Sequence, residues 1–507
     1  MEPRAKDDLN RQFARGVLLL GGALTALFAL EYVVEVVRLK PTFEQMSWQG
    51  HNNAKLVDSL SPIARAYNNI LAMLIATVGL AIPLTANIHT PKLIDLFLKD
   101  RINRIVLTLM ALGAANVLWV LYLIGPEFAP MWAFRTAVYG SFVGWVVLIP
   151  YFFYVVRFVD PSTIITRLKQ DAVSLMQAAR REKIDHDEAQ AEIQERLFQI
   201  GTIVIKSIDR ADRSVAREGV WALKKVLDAY REHKAHMSER WFYVDKGDFP
   251  GMSHHAIEMI NRKHTWMEMQ VLYQLLLCYE HALTKAPDTV SAISNVTRII
   301  ATRAADRGDG PVVSLSIRYF NTFLRVALNR REVRAAFDIF YQYRQLAGEL
   351  CDNPKFVKRI GDFFVTYAEV AEQAGVEFVS NLAGFDLVHV VEQAYLAKNP
   401  AADEVLEDLL RLPTGPTPAL MQARLRAWLI AAGFFSENDL QPQLERVRAA
   451  LSSVPPMAVK LAADHLASIG KRAFWEITDR AINIEWTPAS RREHIERFAR
   501  TFAAAAE

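Results

Sequence analysis

Between Gly16 and Val159 the chain alternates long apolar stretches with shorter polar ones; beyond that the apolar positions recur at helical spacing. Four stretches, Gly16–Val37, Tyr67–Ala86, Ile105–Ile124 and Trp132–Val156, approach or exceed the roughly 20 residues that a helix needs to cross a hydrocarbon core. One buried helix of a soluble domain can imitate such a stretch. Four in succession predict a transmembrane bundle. Gly16–Val37 is too long for a secretory leader, and Glu31, Glu35, Arg38 and Lys40 stand where a small-residue cleavage site would be.

From Asp160 onward the pattern turns polar and stays helical. Asp160-Pro161, Asn353-Pro354, Asn399-Pro400, Thr417-Pro418 and Thr487-Pro488 each set a capping side chain before a proline suited to a first helical turn. Ser436 with Asp439 resembles a capping box, with Asp in place of Glu or Gln. Phe337, Phe340, Tyr341 and Arg344, then Phe363, Phe364, Tyr367 and Val370, follow the helical period. No run alternates as a strand between hairpin turns. The expected fold is all-α: a four-helix transmembrane domain followed by a large cytoplasmic, solenoid-like helical domain, though no fixed repeat period aligns. The expected divisions are an N-terminal arm over 1–15, the spans over 16–159, membrane-proximal helices over 160–252 and a helical array over 253–507. Trp241–Ser253 reads as a loop, and Leu412–Pro418 as a further break.

Basic residues orient the spans. Arg4, Lys6, Arg11 and Arg15 precede the first, Lys92, Lys99, Arg101 and Arg104 fall between the second and third, and Arg157, Arg167, Lys169, Arg180 and Arg181 follow the fourth. Arg135 is alone between the third and fourth. The pattern places both termini in the cytoplasm, against the opposing charges of Arg38, Lys40, Lys55 and Arg65. Tyr32, Trp48, Tyr67, Trp119, Tyr122, Trp132, Tyr151 and Tyr154 are expected mostly at headgroup depth. Pro91–Ile102 reads as an interfacial helix, with Leu93, Ile94, Phe97 and Leu98 dipping inward and its charges in water.

Lipid offers little hydrophobic force between helices, so close packing relies on small residues. Ala72, Ala76, Gly79, Pro83 and Ala86 share one face of the second span, and Pro83 removes a helical hydrogen bond there. Gly140 and Gly144 form a GxxxG in the fourth, extended by Ala133 and Ala137. Packing within one bundle accounts for both stripes; a seam between subunits, or a pore lining, is the sharper reading. Glu31 and Glu35 lie one turn apart in the outer third of the first span, either neutralised by Arg38 or forming a cation-attracting mouth. Asn68, Asn69, Asn87 and Asn116 are read as interhelical hydrogen-bond donors.

Composition narrows the chemistry. The 507 residues are 51% hydrophobic with a net charge of +3, so nothing argues for a nucleic-acid partner. Cys278 and Cys351 supply no disulfide framework. No phosphate-binding glycine loop opens a helix, no Ser, His and Asp arrangement stands out, and no cofactor or catalytic role is expected. Around His233 and His236, the group His254, His255, Glu258 and His264 holds the only local ligand-type residues; His254, Glu258 and His264 are weak metal candidates, since zinc asks for about three converging ligands.

The stretch from Ala66-Tyr-Asn-Asn-Ile to Lys99-Asp100-Arg101-Ile-Asn103, with Pro91-x-Leu93 and Leu96-Phe97-x-x-Asp100, resembles the bacterial membrane-protein family classed as domain of unknown function 2254. Ile205–Tyr230 resembles the segment that follows its spans, without that family's Ser-Pro-Gly and Asn-Asp-Pro. The resemblance covers about residues 16–230, implies four spans with a cytoplasmic region in a bacterial inner membrane, and brings no catalytic residues.

Two functions stay open. In the first, the spans anchor a cytoplasmic helical domain that docks another protein or builds a larger, homo-oligomeric assembly in the bilayer. In the second, copies surround an axis and the second span lines an ion or small-solute channel. The size of the helical domain favours the first.

Overall fold

The computed structural model describes residues 53–88, 100–125, 129–249, 251–412, 417–471 and 483–506, with isolated positions between 22 and 34 and between 94 and 98. Among the described residues there are eighteen α-helices, one 3-10 turn and no strand, which bears out the all-α expectation. Contacts divide the chain into two units, residues 1–164 and 165–507. Ser253, an expected boundary, falls inside the second.

In the first unit α1 (Asn53–Ile88), α2 (Arg101–Leu123) and α3 (Met131–Phe158) are each long and apolar enough to cross a membrane. The described residues thus give three such helices where four were expected, because most of Gly16–Val37 lies outside them; Leu30 and Glu31, which are described, are helical. α1 also begins at Asn53 rather than Tyr67. Its early charges Lys55, Asp58 and Arg65 stay exposed while Leu60 and Ala64 turn inward, so an amphipathic turn sequence looks like a loop to a hydropathy reading. At 36 residues α1 is about 54 Å long, well beyond a hydrocarbon core of roughly 30 Å. Asn53 Nδ2 donates to the Gly125 carbonyl at 2.9 Å, tying the start of α1 to the end of α2.

Leu60, Ala64, Val117, Val120, Ala133 and Ala137 form one core cluster of this unit; Tyr67, Val106, Met110, Ala114 and Tyr151 form the other. Met73, Leu80, Phe142, Phe152 and Phe153 remain exposed, an arrangement that water disfavours and lipid accepts. Asp100 caps α2 by accepting from the Ile102 and Asn103 amides, and Asn103 Nδ2 holds the Phe97 carbonyl at 3.1 Å. Of Pro91–Ile102, Ile94, Phe97 and Leu98 are described before the cap as helical: Phe97 is buried and the other two are exposed.

The second unit begins within α4 (Pro161–Arg180) and continues through α5 (His186–Asp209), α6 (Arg213–Lys234), α7 (His254–Lys263), α8 (Trp266–Lys285), α9 (Pro287–Ala305) and α10 (Gly310–Asn329). It goes on with α11 (Val333–Glu349), α12 (Pro354–Gln373), α13 (Glu377–Leu396), α14 (Ala402–Arg411) and α15 (Pro418–Glu437). α16 (Gln441–Ala450), α17 (Pro456–Ser468) and α18 (Ala489–Ala506) complete it. Helices α5, α8, α10, α12 and α14 pack successively into one row; α6, α9, α11, α13 and α15 pack into a second row against it. Chain neighbours join the rows, so contacts stay close in sequence.

Tight turns make this alternation. Ala211, Gly308, Arg331, Gly375, Lys398 and Asp439 all adopt left-handed φ between 52° and 72°. After each, the next amide bonds back five residues, as Asp212 to Ser207 and Glu332 to Ala327 do at 2.9 Å. Four of these six residues are not glycine, which is why composition did not mark the turns. Three of the five proline signals hold: Asp160, Asn353 and Thr417 accept from the amides of Thr163, Phe356 and Leu420. Asn399 instead accepts from the Ala401 amide ahead of the helix that begins at Ala402, and the buried Thr487 hydroxyl, before Ala489, caps nothing among the described residues. Ser436 corrects its expectation, because it lies within α15 with its hydroxyl 2.8 Å from His494 Nδ1, while Asp439 occupies a left-handed turn.

Candidate functional site

The small residues of the first unit serve two different faces. Tyr67 is fully buried in a niche between α2 and α3, where its hydroxyl donates to Met110 Sδ at 3.4 Å. Gly113 and Gly144 make that niche: a Cβ on either would overlap the Tyr67 hydroxyl. Ala133, Ala137, Ser141 and Gly144 form the buried stripe of α3. Gly140 is exposed, and no described atom lies within 4 Å of where its Cβ would stand. The GxxxG pair therefore does not share one contact. Tyr67 and Tyr151 are buried among the helices, whereas Trp119, Tyr122 and Trp132 are exposed.

On α1 the stripe Ala72, Ala76, Gly79 and Pro83 is exposed; the side chain of Ala86 lies outside the described residues. Nothing described lies within 4 Å of a Cβ at Gly79. Pro83, four residues on, has no amide to offer the Gly79 carbonyl. This is an apolar face with a backbone polar group at its centre. Glu31 accepts a hydrogen bond from Thr136 on α3 at 3.1 Å. Glu35, Lys92 and Lys99 lie outside the described residues, while Arg101 and Arg104 are exposed in the first turn of α2. Asn68 bonds within its own helix, to the Ala64 carbonyl at 2.8 Å, and Asn116 is buried.

The second unit carries buried charge that the sequence did not reveal. Lys234 on α6 bridges Glu268 on α8 at 2.8 Å and Asp309, the cap of α10, at 2.9 Å. Glu268 is fully buried, and burial raises its carboxyl pKa against the pull of Lys234. Burial works against the Lys234 ammonium too, but the two acids outweigh it and raise its pKa. Farther along, Lys358 on α12 meets the fully buried Asp408 of α14 at 2.8 Å. The buried Arg424 of α15 donates to Glu372 at 3.1 Å and to the Ser380 carbonyl at 2.8 Å.

These pairs mark steps along the rows. Asp228 and Arg303 join α6 to α9 at 2.6 Å, Arg298 and Glu349 join α9 to α11, and Arg344 and Asp386 join α11 to α13 at 3.5 Å. Asp209 and Lys285 join α5 to α8 at 2.6 Å. Partners of 34 to 76 residues' separation leave no local sequence signature.

The histidine group does not converge. His254 and Glu258 are exposed on α7, while His264 follows its last turn at φ 53°, stacked on Phe242 with ring centroids 4.1 Å apart and 3.4 Å from Glu239. Among the described residues no three His, Cys, Asp or Glu side chains could hold a metal together. Cys278 is buried and its thiol is pushed up to about 12 by desolvation, so it is a poor nucleophile.

No curated protein and no solved structure matched the chain. The three apolar helices and the family comparison agree on a membrane protein, and the resemblance read from the sequence is borne out. Over residues 12–208, less than half of its length, the chain matches the family described as "Predicted membrane protein (DUF2254)".

Proposed function

We propose that this protein is an anchored docking module of a bacterial inner membrane. Four spans hold it, both termini lie in the cytoplasm, and residues 165–507 form a solenoid-like surface for a protein partner. The observation that carries this reading is the double row of helices, in which each member packs on the next and on the one after it. Such stacking builds extended faces from short-range contacts, an architecture suited to holding another chain. The exposed stripe Ala72, Ala76, Gly79 and Pro83 supports close approach of a second copy in the bilayer.

The test compares the full chain with one ending after Ile164, both extracted in native-lipid discs. Loss of a co-purifying protein from the shortened but inserted chain supports docking; an unchanged set of companions contradicts it.

A channel is the second reading, favoured by one feature: the Gly79 carbonyl, deprived of its donor by Pro83, on an outward face. Ala76→Val should then alter unitary conductance while assembly persists. Absence of currents from wild-type protein in a planar bilayer contradicts this reading.

A further inference from the structure

Two helices of the second unit present matching faces to one cleft. On α7 the facing positions are Ala256, Met259, Ile260 and Lys263; on α10 they are Pro311, Ser314, Leu315 and Arg318. Both sets follow the spacing 0, 3, 4, 7 of a single helical face, and both end on a cation. Met269 of α8 completes the floor of this cleft of about 260 Å³, held there by the Tyr319 hydroxyl at 3.4 Å from its sulfur.

Several contacts fix the geometry. Ser253 caps α7 by accepting from the Ala256 amide at 3.2 Å, and the left-handed His264 ends it. Asp309 caps α10 while bonded to Lys234, so the register of α10 is anchored to α6. The cleft is therefore a fixed feature of packed helices, with methionine and leucine below and Lys263 and Arg318 at its rim.

More positive charge stands behind that rim. Besides Arg318, the side chains of Arg359, Lys355 and Arg262 are close enough to depress the Lys263 ammonium, although its desolvation is the larger cause. None of these five cations forms an ion pair among the described residues; the nearby acid Asp362 is bonded to Lys358 at 2.6 Å. α10 contains no Asp or Glu. Lys355 and Arg359 sit near the N-terminal end of α12, where the helix dipole disfavours cations. Elsewhere in this unit cations meet carboxylates at step after step. Lys263 and Arg318, the two that line the cleft, meet none among the described residues.

We propose that this cleft binds an organic phosphate, its phosphate held by Lys263 and Arg318 and its apolar body resting on Met259, Met269 and Leu315. A dianion relieves the mutual repulsion of the cations and gains charge-assisted hydrogen bonds from a planar guanidinium and an ammonium. The apolar floor adds a preference for an ester over the free ion. A phospholipid headgroup with short exposed tail and a soluble phosphomonoester share this chemistry.

Calorimetric titration of the full chain in detergent, at low ionic strength, tests it with inorganic phosphate, phenyl phosphate and dihexanoyl phosphatidic acid. Saturable binding of at least one ester, tighter than inorganic phosphate, is expected. Arg318→Gln and Lys263→Gln should each weaken that binding about tenfold, while Lys460→Gln, an exposed cation on α17, should leave it unchanged. Tighter binding of phosphatidic acid assigns the ligand to lipid, and tighter binding of phenyl phosphate assigns it to a soluble metabolite. No saturable binding of any probe, inorganic phosphate binding as tightly as both esters, or an affinity unmoved by Arg318→Gln overturns the proposal. Arg318 is exposed, so its variant keeps the core intact should Lys263→Gln fold poorly.

Discussion

The two units of this protein solve the problem of joining helices in opposite ways. In the first, contact is made by shape: Tyr67 fills a niche whose walls are the missing side chains of Gly113 and Gly144, and large apolar residues face outward. In the second, apolar side chains turn inward and charge marks the joints, with an acid on one helix and a base on its neighbour in the same row. Burying such pairs is expensive and adds little net stability compared with an apolar core. Their value in this unit, we suggest, is specificity, since a helix stacked out of order would leave its charge unpaired.

That contrast can be broken most severely at Lys234. Lys234→Ala leaves Glu268 buried without its cation and should cost roughly 3–5 kcal/mol, read as a lower denaturation midpoint of the second unit. Lys234→Ala combined with Glu268→Leu should recover part of the loss. No recovery would mean that the pair is not coupled.

Shape is the next target. Gly144→Val should destabilise the apolar helices by about 1–3 kcal/mol through overlap with Tyr67, whereas Gly140→Val should be silent. Both can be followed by unfolding in mixed micelles. Equal effects would restore the GxxxG pair as one seam.

A cap comes third. Asn353→Ala removes the acceptor for the Phe356 amide and should cost about 1 kcal/mol, measurable by urea denaturation.

The smallest effect is an acid limb. Burial raises the Asp228 carboxyl, but its bonds to Lys224 and Arg303 outweigh that and hold its pKa below the ordinary 3.8. A lowered folded-state pKa stabilises the fold above the ordinary value, and the contribution is lost as pH falls through the folded value. Stability between pH 5 and pH 3 should therefore decline less in Asp228→Asn than in wild type. An identical decline would show that Asp228 does not contribute.

How much of this was legible depended on the range of the interaction. Helical class, the apolar helices and the proline-linked caps are local, and Asn353, Thr417 and Asp160 behave as their neighbours foretold. The start of α1 was missed because Lys55, Asp58 and Arg65 occupy one exposed face of a continuous helix. Ser436 was misread because a capping box and a helix C-terminus share residue types. The inter-helix ion pairs and the facing cations of the cleft depend on residues 34 or more positions apart, and only packing brings them together. The stripe of α1 was legible as a face, but its outward direction was not.

The most direct measurement is the mass and composition of the full-length particle in native-lipid discs. The account predicts copies of this 57.4 kDa chain together with a second protein in fixed ratio. A bare monomer, or a closed ring of copies alone around the α1 stripe that conducts ions, would contradict it.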